Sequence, residues 1–294
     1  MSASVHPATP LERRLAEVRG VVLDIDGCLV LATQPAGEDA KVLPGAVEAM
    51  CALRDMGLRT LVFTNASSRP PARIAASLAE LGFPVSADDV MTPSVVAAAV
   101  LKERCGAKPV LAFGGSGVVD VLNEEGITVL DHREPGAARL AAAVLVGWDT
   151  GFDQQRLQVA AEALWAGAPL LVTSDAPAFA TAGGHSAGVS GFIANGLTYV
   201  TGVPYEVLGK PSSLAVAAAA RRLGVPSSRT LVAGDDLTLE VAMAIAADAV
   251  GVLVTTGTHS REDAANLPAG ERPDLVVDGL GEVVDALRRA RHDR

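Results

Sequence analysis

Long hydrophobic runs are missing from this 294-residue sequence, and aromatic residues make up only 3% of it. A helix that spans a bilayer needs about 20 consecutive, mostly apolar residues, and no segment reaches that length. The first residues, MSASVHPATPLERR, also lack the apolar stretch of a signal peptide. These absences argue against a membrane protein and lead us to expect a cytoplasmic one.

Cysteine is scarce and follows no pattern. Cys28, Cys51 and Cys105 are odd in number, lie far apart and form no C-x-x-C spacing. A disulfide framework or a zinc site would need paired or closely spaced cysteines. We therefore interpret all three as reduced thiols, in agreement with a cytoplasmic protein.

Basic residues are outnumbered, since 34 acidic side chains against 24 basic ones give a formal net charge of −10. No basic patch stands out along the chain, so neither a nucleic-acid partner nor an anionic membrane surface is expected. Hydrophobic residues at 49% and charged residues at 20% are typical of a globular protein. The length fits one large domain or two ordinary ones.

The sequence does contain a regular alternation of short apolar runs with stretches rich in alanine and leucine. The apolar runs predict strands at Val21–Asp26, Thr60–Thr64, Pro109–Gly114, Ala143–Trp148, Pro169–Ser174, Leu231–Asp235 and Val250–Val254. The stretches between them predict helices at Pro44–Met56, Pro70–Leu81, Pro93–Arg104, Asp153–Ala166 and Ser212–Leu223. Apolar strands that alternate with helices form a parallel sheet covered on both faces. The sequence therefore predicts an α/β fold.

Two carboxylates end the first predicted strand, in the segment VVLDIDGCLV. Asp24 and Asp26 lie two residues apart, so in a strand they point the same way. Like charges side by side raise each other's pKa unless a nearby cation neutralises them. Alternatively, Asp26 and Gly27 only form a turn that leaves the strand. The segment by itself leaves both interpretations open.

Further polar groups follow the other predicted strands. In open parallel sheets, binding sites collect beyond the carboxyl ends of the strands. Thr64 and Asn65 follow the second strand. Asp235 and Asp236 follow the strand LVAG, and Lys210 precedes a helix in VLGKPSS. Paired acids, a hydroxyl, an amide and one lysine are the groups that phosphate-ester chemistry with a divalent cation needs.

Four motifs occur in the order DIDG, TNAS, GKPS and GDD, each after a predicted strand or at a helix start. This order, with a long segment between TNAS and GKPS, resembles the haloacid dehalogenase (HAD) superfamily of phosphohydrolases, and within it the NagD-like class IIA phosphatases. Each motif alone is a weak signal, but four in this order form a strong one, and the resemblance covers nearly all of the chain from Val21 to Leu280. The resemblance implies a Rossmann-like parallel-sheet core with an inserted α/β cap domain of the C2 type.

The resemblance also implies a role for each motif residue. Asp24 is expected to be the nucleophile that forms an aspartyl-phosphate, and Asp26 to be the general acid and base. Thr64, Asn65 and Lys210 are expected to bind the phosphoryl group, with Lys210 also balancing the charge of Asp24. The implied activity is hydrolysis of a small phosphorylated metabolite.

Mg²⁺ is the cofactor that the same resemblance implies. Its expected ligands are Asp24, the backbone carbonyl of Asp26, and Asp235, all of which offer the oxygen atoms that this hard cation prefers. The two carboxylates of the DIDG segment would then tolerate each other because a cation and a lysine share their site.

The last motif departs from the usual family pattern, GDxxxTD. This chain reads GDDLTLE, with Leu239 in place of the threonine and Glu240 in place of the second aspartate. Asp235 is intact, so metal binding is expected to survive. The two replacements affect the outer shell of the metal site, where Asp236 or Glu240 is a candidate to compensate.

More than 140 residues separate TNAS from GKPS, far too many for a loop. They contain their own strands and helices, so we expect a cap domain at 91–201. The catalytic core is then discontinuous, at 1–90 and 202–294. A homodimer formed through the cap is also expected.

The cap contains a stretch rich in glycine, serine and alanine, Ser174–Gly191, which is expected to face the core site. Asp175 and His185 within it are candidate substrate contacts, although a solvated loop position is the simpler interpretation of each. The family often has Asn-x-Asp after this strand, and Ser174-Asp175-Ala176 departs from that pattern. No particular substrate is therefore inferred.

Several alternatives remain at this stage. FGGSGVVD (Phe113–Asp120) imitates a dinucleotide-binding loop, as in a nucleotide-dependent oxidoreductase, but has Asp120 at the third glycine position. We interpret it as a strand-to-helix turn within the cap. Trp148 and Trp165 are assigned to packing. A phosphomutase or a non-catalytic metabolite-binding protein would share the core motifs, and release of inorganic phosphate separates a phosphatase from both.

Overall fold

A computed structural model describes residues 9–31, 40–181 and 184–292 of the protein, without the side chains of 179–181, 184 and 185. Strands alternate with helices along almost all of this length, so the predicted α/β class is confirmed. Among these residues, none of the helices has the length and apolar character that crossing a bilayer requires.

Most of the elements are short, as is usual for α/β proteins. The strands are β1 (Gly20–Leu23), β2 (Val30–Leu31), β3 (Lys41–Val42), β4 (Arg59–Phe63), β5 (Val90–Met91), β6 (Leu111–Phe113), β7 (Val144–Val146), β8 (Leu170–Val172), β9 (Ala178–Thr181), β10 (Gly184–Ala187), β11 (Tyr205–Val207), β12 (Thr230–Gly234), β13 (Val250–Val254) and β14 (Leu275–Val277). The helices are α1 (Pro10–Glu17), α2 (Ala46–Asp55), α3 (Pro71–Glu80), α4 (Pro93–Cys105), α5 (Ser116–Glu124), α6 (Ala137–Leu140), α7 (Gln154–Trp165), α8 (Val189–Thr201), α9 (Ser213–Leu223), α10 (Ala242–Ala246), α11 (Arg261–Asn266) and α12 (Leu280–His292).

Six strands form one parallel sheet in the order β14-β13-β12-β1-β4-β5. β1 lies inside this sheet, where Leu23 is in register with Ala233 of β12 and with Val62 of β4. Because the three strands are parallel, they end side by side at the same edge. The polar residues that follow them in the sequence are thereby brought together.

Both faces of this sheet are covered. Val21 and Leu23 belong to a buried hydrophobic cluster that also contains residues of α2 and α12. Val22 and Leu61 belong to a second cluster, with residues of α4 and α9. A strand that is buried on both faces needs an unbroken apolar sequence, which explains the run of valine and leucine before the first carboxylate.

Four parallel strands form a second sheet in the order β11-β8-β7-β6, and β9 pairs with β10 in an antiparallel hairpin. This sheet and the helices α7 and α8 share a separate hydrophobic cluster, which includes Val146, Val172 and Leu197. Most of it comes from the long segment between TNAS and GKPS. The predicted insertion of an α/β cap domain is therefore confirmed.

The strand pairings do not coincide with the predicted cap limits of 91–201. Met91 pairs with Phe63 in the six-stranded sheet. Tyr205–Val207 pair with β8 in the four-stranded sheet, beyond the predicted end of the cap. β11 has three half-buried residues and no continuous apolar run, so its sequence gives little sign of a strand or of the sheet that it joins.

The FGGSGVVD segment forms a strand-to-helix turn in the cap, as predicted, because β6 ends at Phe113 and α5 begins at Ser116. Among the tryptophans, Trp165 is 58% exposed, so its predicted packing role is wrong. Trp148 is half-buried and follows β7, at the end of the cap sheet that faces the core motifs.

Candidate active site

A cavity of about 260 Å³ lies where β1, β4 and β12 end. Its lining contains every core residue that the motifs single out: Asp24, Asp26, Thr64, Asn65, Lys210 and Asp235. Cap residues line the same cavity, among them Trp148 and Val189. The structure thus brings the predicted core residues together and encloses them with the cap.

The first of these residues continues β1. The Asp24 amide donates a hydrogen bond of 3.0 Å to the carbonyl of Ala233, so the sheet still holds its backbone although the strand has ended. A tight turn follows, in which the Ile25 carbonyl accepts hydrogen bonds from the Leu29 and Val30 amides at 2.9 and 3.0 Å. Asp26 reaches the cavity through this turn, not through strand alternation as the sequence predicts.

Lys210 is the central cation of the site and is only 2% exposed. Its Nζ lies 2.5 Å from Oδ1 of Asp24 and 2.5 Å from Oε1 of Glu240, and it donates a 2.8 Å hydrogen bond to the Phe63 carbonyl. Burial disfavours the ammonium form, but the carboxylates of Asp24 and Glu240 outweigh burial and raise the pKa of Lys210 above its usual range. The lysine is therefore charged and fixed beside Asp24.

Asn65 holds the backbone of Lys210 in place. The Lys210 amide donates to Oδ1 of Asn65 at 2.8 Å, and Nδ2 of Asn65 donates to the Lys210 carbonyl at 3.0 Å. This two-bond clamp joins the loop after β4 to the loop before α9. These two hydrogen bonds show that Asn65 positions Lys210. The predicted contact of Asn65 with the phosphoryl group stays a prediction. The Thr64 hydroxyl, which is buried beside it, accepts a 3.0 Å hydrogen bond from the Ala66 amide.

Three buried carboxylates form a cluster in which one oxygen each of Asp24, Asp235 and Glu240 lies within 4.8 Å of the others. Asp235 accepts a 2.6 Å hydrogen bond from the Thr258 amide. Burial, and next the charge of Asp24, raise the pKa of Asp235 to about 6. Acidic oxygens held this close are a donor set that suits a hard divalent cation, which would relieve their repulsion.

Glycine is required where the backbone approaches Asp235. A Cβ atom at Gly27 would lie 2.4 Å from Oδ2 of Asp235, and one at Gly257 would lie 2.0 Å from the same oxygen. Gly27 also has a φ of 82°, in the region that favours glycine. The glycine of the DIDG motif thus leaves room for the metal-binding aspartate predicted in the last motif.

Sequence reasoning left open what Glu240 does. It is 2% exposed and pairs with Lys210, while its Oε2 accepts a 3.2 Å hydrogen bond from the Asp236 amide. Burial raises the pKa of Glu240 above the usual carboxyl range. Both carboxylate oxygens of Glu240 therefore have partners within the protein, Lys210 and the Asp236 amide. Glu240 holds the lysine in place as well as being a member of the carboxylate cluster. Its place in the GDDLTLE motif marked it as a candidate, but the partner is visible only in three dimensions.

Ser67 connects the core to the cap and was not predicted to have a role. Its Oγ accepts a 3.0 Å hydrogen bond from the Trp148 amide and lies 3.1 Å from Oγ1 of Thr173. Because the Ser67 side chain is buried, loss of these hydrogen bonds would leave polar groups without partners and destabilise the fold. A single hydroxyl of the TNAS loop therefore holds the carboxyl ends of β7 and β8 above the site.

Gly117 allows α5 to lie directly against the same loop, because a Cβ there would come within 2.4 Å of the Ser67 carbonyl and the Arg69 amide. We expect Gly117→Ala to lower the free energy of unfolding by about 1–3 kcal/mol and to reduce kcat/KM by displacing the cap. Gly115→Ala is the matched control, since a Cβ at Gly115 meets nothing within 4 Å. Thermal unfolding and steady-state kinetics of both variants test this, and equal behaviour of the two would contradict it.

The two predicted cap contacts are placed differently. Asp175 is exposed and does not line the cavity, although Ser174 and Ala176 on either side of it do. The structure thus gives no support for a substrate contact by Asp175. His185 lies in β10, and its side chain is outside the described residues, so its role stays a prediction.

Comparison with known proteins agrees with the motif order. The family model for haloacid dehalogenase-like hydrolases matches residues 21–128, and a second model, for HAD-hydrolase-like proteins, matches residues 207–283. The human phospholysine phosphohistidine inorganic pyrophosphate phosphatase is 30% identical over 280 residues, which cover 95% of this chain and 97% of that protein.

Two solved structures are similar along most of their length. The 4-nitrophenylphosphatase from Thermotoga maritima has a TM-score of 0.81 at 27% identity, covering 93% of this chain and 99% of that one. The glycerol phosphate phosphatase from Mycobacterium tuberculosis, in complex with magnesium, has a TM-score of 0.78 at 28% identity, covering 93% of this chain and 77% of that one. Together with the site geometry, these matches establish that the chain belongs to the haloacid dehalogenase-like hydrolase family and is one of its phosphatases.

Proposed function

We propose that the protein is a Mg²⁺-dependent phosphomonoesterase that hydrolyses a small phosphorylated metabolite through an aspartyl-phosphate on Asp24. The observation that carries the proposal is the contact between Asp24 and Lys210, 2.5 Å apart and both buried, in a cavity that Asp26 also lines. Lys210 fixes the orientation of the Asp24 carboxylate. Its positive charge also offsets the repulsion between this carboxylate and the negatively charged phosphate ester that it attacks.

Each half of the reaction uses the two aspartates in turn. In the first half, an Asp24 oxygen forms a bond to phosphorus, the ester P–O bond breaks, and Asp26 gives its proton to the departing alkoxide. In the second half, Asp26 takes a proton from water, the water oxygen attacks phosphorus, and the Asp24 carboxylate leaves. One water is consumed, the alcohol and inorganic phosphate are released, and Asp26 ends protonated as it began.

The phosphoryl oxygens are bound by the groups beside Asp24. Lys210 carries the positive charge, and the buried Thr64 hydroxyl lies at the end of the neighbouring strand. Asn65 contributes by holding the Lys210 backbone. These groups contact only the phosphoryl group, which all phosphomonoesters share. They therefore accelerate the reaction without discriminating between substrates.

Mg²⁺ would be held by Asp24 and Asp235, with the backbone carbonyl of Asp26 as the further predicted ligand. Such a cation, when bound, neutralises and orients phosphoryl oxygens. The support in this chain is the cluster of buried carboxylates and the raised pKa of Asp235. The related glycerol phosphate phosphatase was solved in complex with magnesium.

Removal of divalent cations is expected to abolish phosphate release, and Mg²⁺ to restore it. Ca²⁺ is expected to bind but to support turnover poorly, since its coordination shell is larger and looser. The assay is inorganic phosphate released from a panel of phosphomonoesters, with EDTA and with each cation. Undiminished release in excess EDTA would remove the metal from the proposal, and transfer of the phosphoryl group without phosphate release would favour the phosphomutase.

The pKa of Asp235 gives the metal effect a pH dependence. Because this pKa is raised to about 6 in the folded protein, the metal-free fold loses stability as the pH rises from about 4 through about 6. Mg²⁺ replaces the proton on this carboxylate, so it should raise Tm more above about pH 7 than below about pH 5. Equal Mg²⁺-induced shifts of Tm at both pH values would contradict this.

A further inference from the structure

The cavity that contains the catalytic residues is also lined by apolar side chains. Beside the charged groups, it is lined by Trp148, Ala178, Val189 and Leu239, with a few serine hydroxyls. At about 260 Å³ it lies below the roughly 300–1,000 Å³ of pockets that take drug-sized ligands. A phosphoryl group bound at Lys210 would leave room for a compact leaving group in contact with apolar side chains.

Leu239 is the most informative member of this apolar lining. Its neighbours Leu237 and Val241 are buried in a hydrophobic cluster with Leu253. Leu239 itself is half-buried and belongs to none of the hydrophobic clusters of the described residues, while it lines the cavity. Its apolar surface is therefore turned toward the substrate space and not toward the core.

The charges around the cavity restrict the leaving group further. Lys210 is the single basic side chain among the described lining residues, and its ammonium group already contacts Asp24 and Glu240. The other charged members of the lining are acidic, including Asp26 and Asp236. With Lys210 and the proposed Mg²⁺ both engaged by the phosphoryl group, a second anionic group on the substrate would meet no further basic side chain among the described lining residues and would be repelled by the acidic ones.

We infer that this phosphatase selects phosphomonoesters of compact, uncharged alcohols with an apolar or aromatic face, and that Leu239 is a residue that determines this selectivity. Phosphate esters that carry a second anionic group are discriminated against. The inference rests on the proposed phosphomonoesterase activity. It assigns the Leu239 replacement in the GDDLTLE motif to substrate contact.

The charge part of the inference is tested with three substrates of matched reactivity: benzyl phosphate, 4-carbamoylbenzyl phosphate and 4-carboxybenzyl phosphate. The last two have nearly the same size and differ in charge. We expect kcat/KM for the carboxylate to be lower than for the carboxamide by about tenfold or more. Equal or faster turnover of the carboxylate would overturn the inference.

The apolar part is tested with Leu239→Thr and with Leu239→Met, which keeps the apolar bulk. Leu239→Thr should lower kcat/KM for benzyl phosphate about tenfold, mostly through KM, while kcat/KM for ethyl phosphate changes little. Leu239→Met should retain the preference for benzyl over ethyl phosphate. Leu267→Thr, at a half-buried leucine outside the cavity, controls for general destabilisation.

The outcomes separate this inference from the proposed function. Absence of phosphate release from all of these esters would count against the phosphomonoesterase itself. Normal release, with a benzyl-to-ethyl ratio that Leu239→Thr leaves unchanged, would overturn the role of Leu239 alone. Val189→Thr changes another apolar residue of the cavity lining. It should also lower the ratio of kcat/KM for benzyl phosphate to that for ethyl phosphate.

Discussion

Replacing Asp24 by asparagine is expected to lower kcat by about 10⁴-fold or more while the protein stays folded. An amide does not attack phosphorus, so the first half of the reaction is lost. The fold should persist because the asparagine side chain has nearly the same shape as that of aspartate, and because Lys210 keeps its second partner, Glu240, at 2.5 Å. Phosphate release at saturating Mg²⁺ measures the first effect, and thermal unfolding measures the second.

Asp120→Asn is the matched control for this prediction, since Asp120 is an exposed aspartate of α5 outside the cavity. It should leave both kcat and Tm unchanged. If Asp24→Asn kept phosphatase activity near that of the unmodified protein, Asp24 would not be the nucleophile.

The second large effect is expected for Lys210→Met, which removes the cation from between Asp24 and Glu240. Breaking a buried ion pair by deleting one partner typically costs about 3–5 kcal/mol, because the remaining charge is buried without compensation. We expect a loss of unfolding free energy of that size, together with a fall in kcat of about 10²–10³-fold or more from lost charge stabilisation.

The stability lost in Lys210→Met depends on pH. Without the lysine, the buried Glu240 carboxylate loses the positive neighbour that lowers its pKa, so its pKa, already raised by burial, rises further in the folded state. A raised carboxyl pKa makes the folded state less stable at high pH, and protonation relieves the cost at low pH. The difference in Tm between the variant and the unmodified protein should therefore shrink as the pH falls.

A double variant tests whether the uncompensated charge of Glu240 causes the loss of stability. Lys210→Met with Glu240→Gln removes one of the stranded carboxylates, so it should recover part of the lost stability but none of the activity. Lys108→Met, at an exposed lysine, is the control for loss of a positive charge as such. A single variant Lys210→Met as stable as Lys108→Met would show that the buried pair contributes nothing to stability.

The core of the site could be predicted from the sequence for a physical reason. Asp24, Thr64 and Asp235 each follow an apolar run, and parallel strands end at a common edge. Position in the chain therefore fixes position in space for these residues. The insertion of a cap could be predicted for a different reason, because the segment between TNAS and GKPS is too long for a loop.

What could not be predicted depends on contacts between distant segments. The ion pair of Glu240 with Lys210, the Asn65 clamp and the cavity-facing side of Leu239 all arise when separate loops meet. β11 was missed because its three half-buried residues show no periodic pattern, so its pairing with β8 could not be predicted. The homodimer through the cap and the substrate contact of His185 stay predictions.

The claim that the reaction passes through a phosphorylated Asp24 is tested most directly by trapping that species. Asp26→Asn lacks both the proton donor and the group that activates water. With 4-nitrophenyl phosphate, whose leaving group departs without a proton, only the second step is blocked, so the phosphorylated enzyme should accumulate in a single turnover. Acid quenching and mass analysis of peptides should then find one phosphoryl group on the peptide that contains Asp24. Rapid turnover with no phosphoryl group on that peptide, in this variant and in the unmodified protein, would contradict the account.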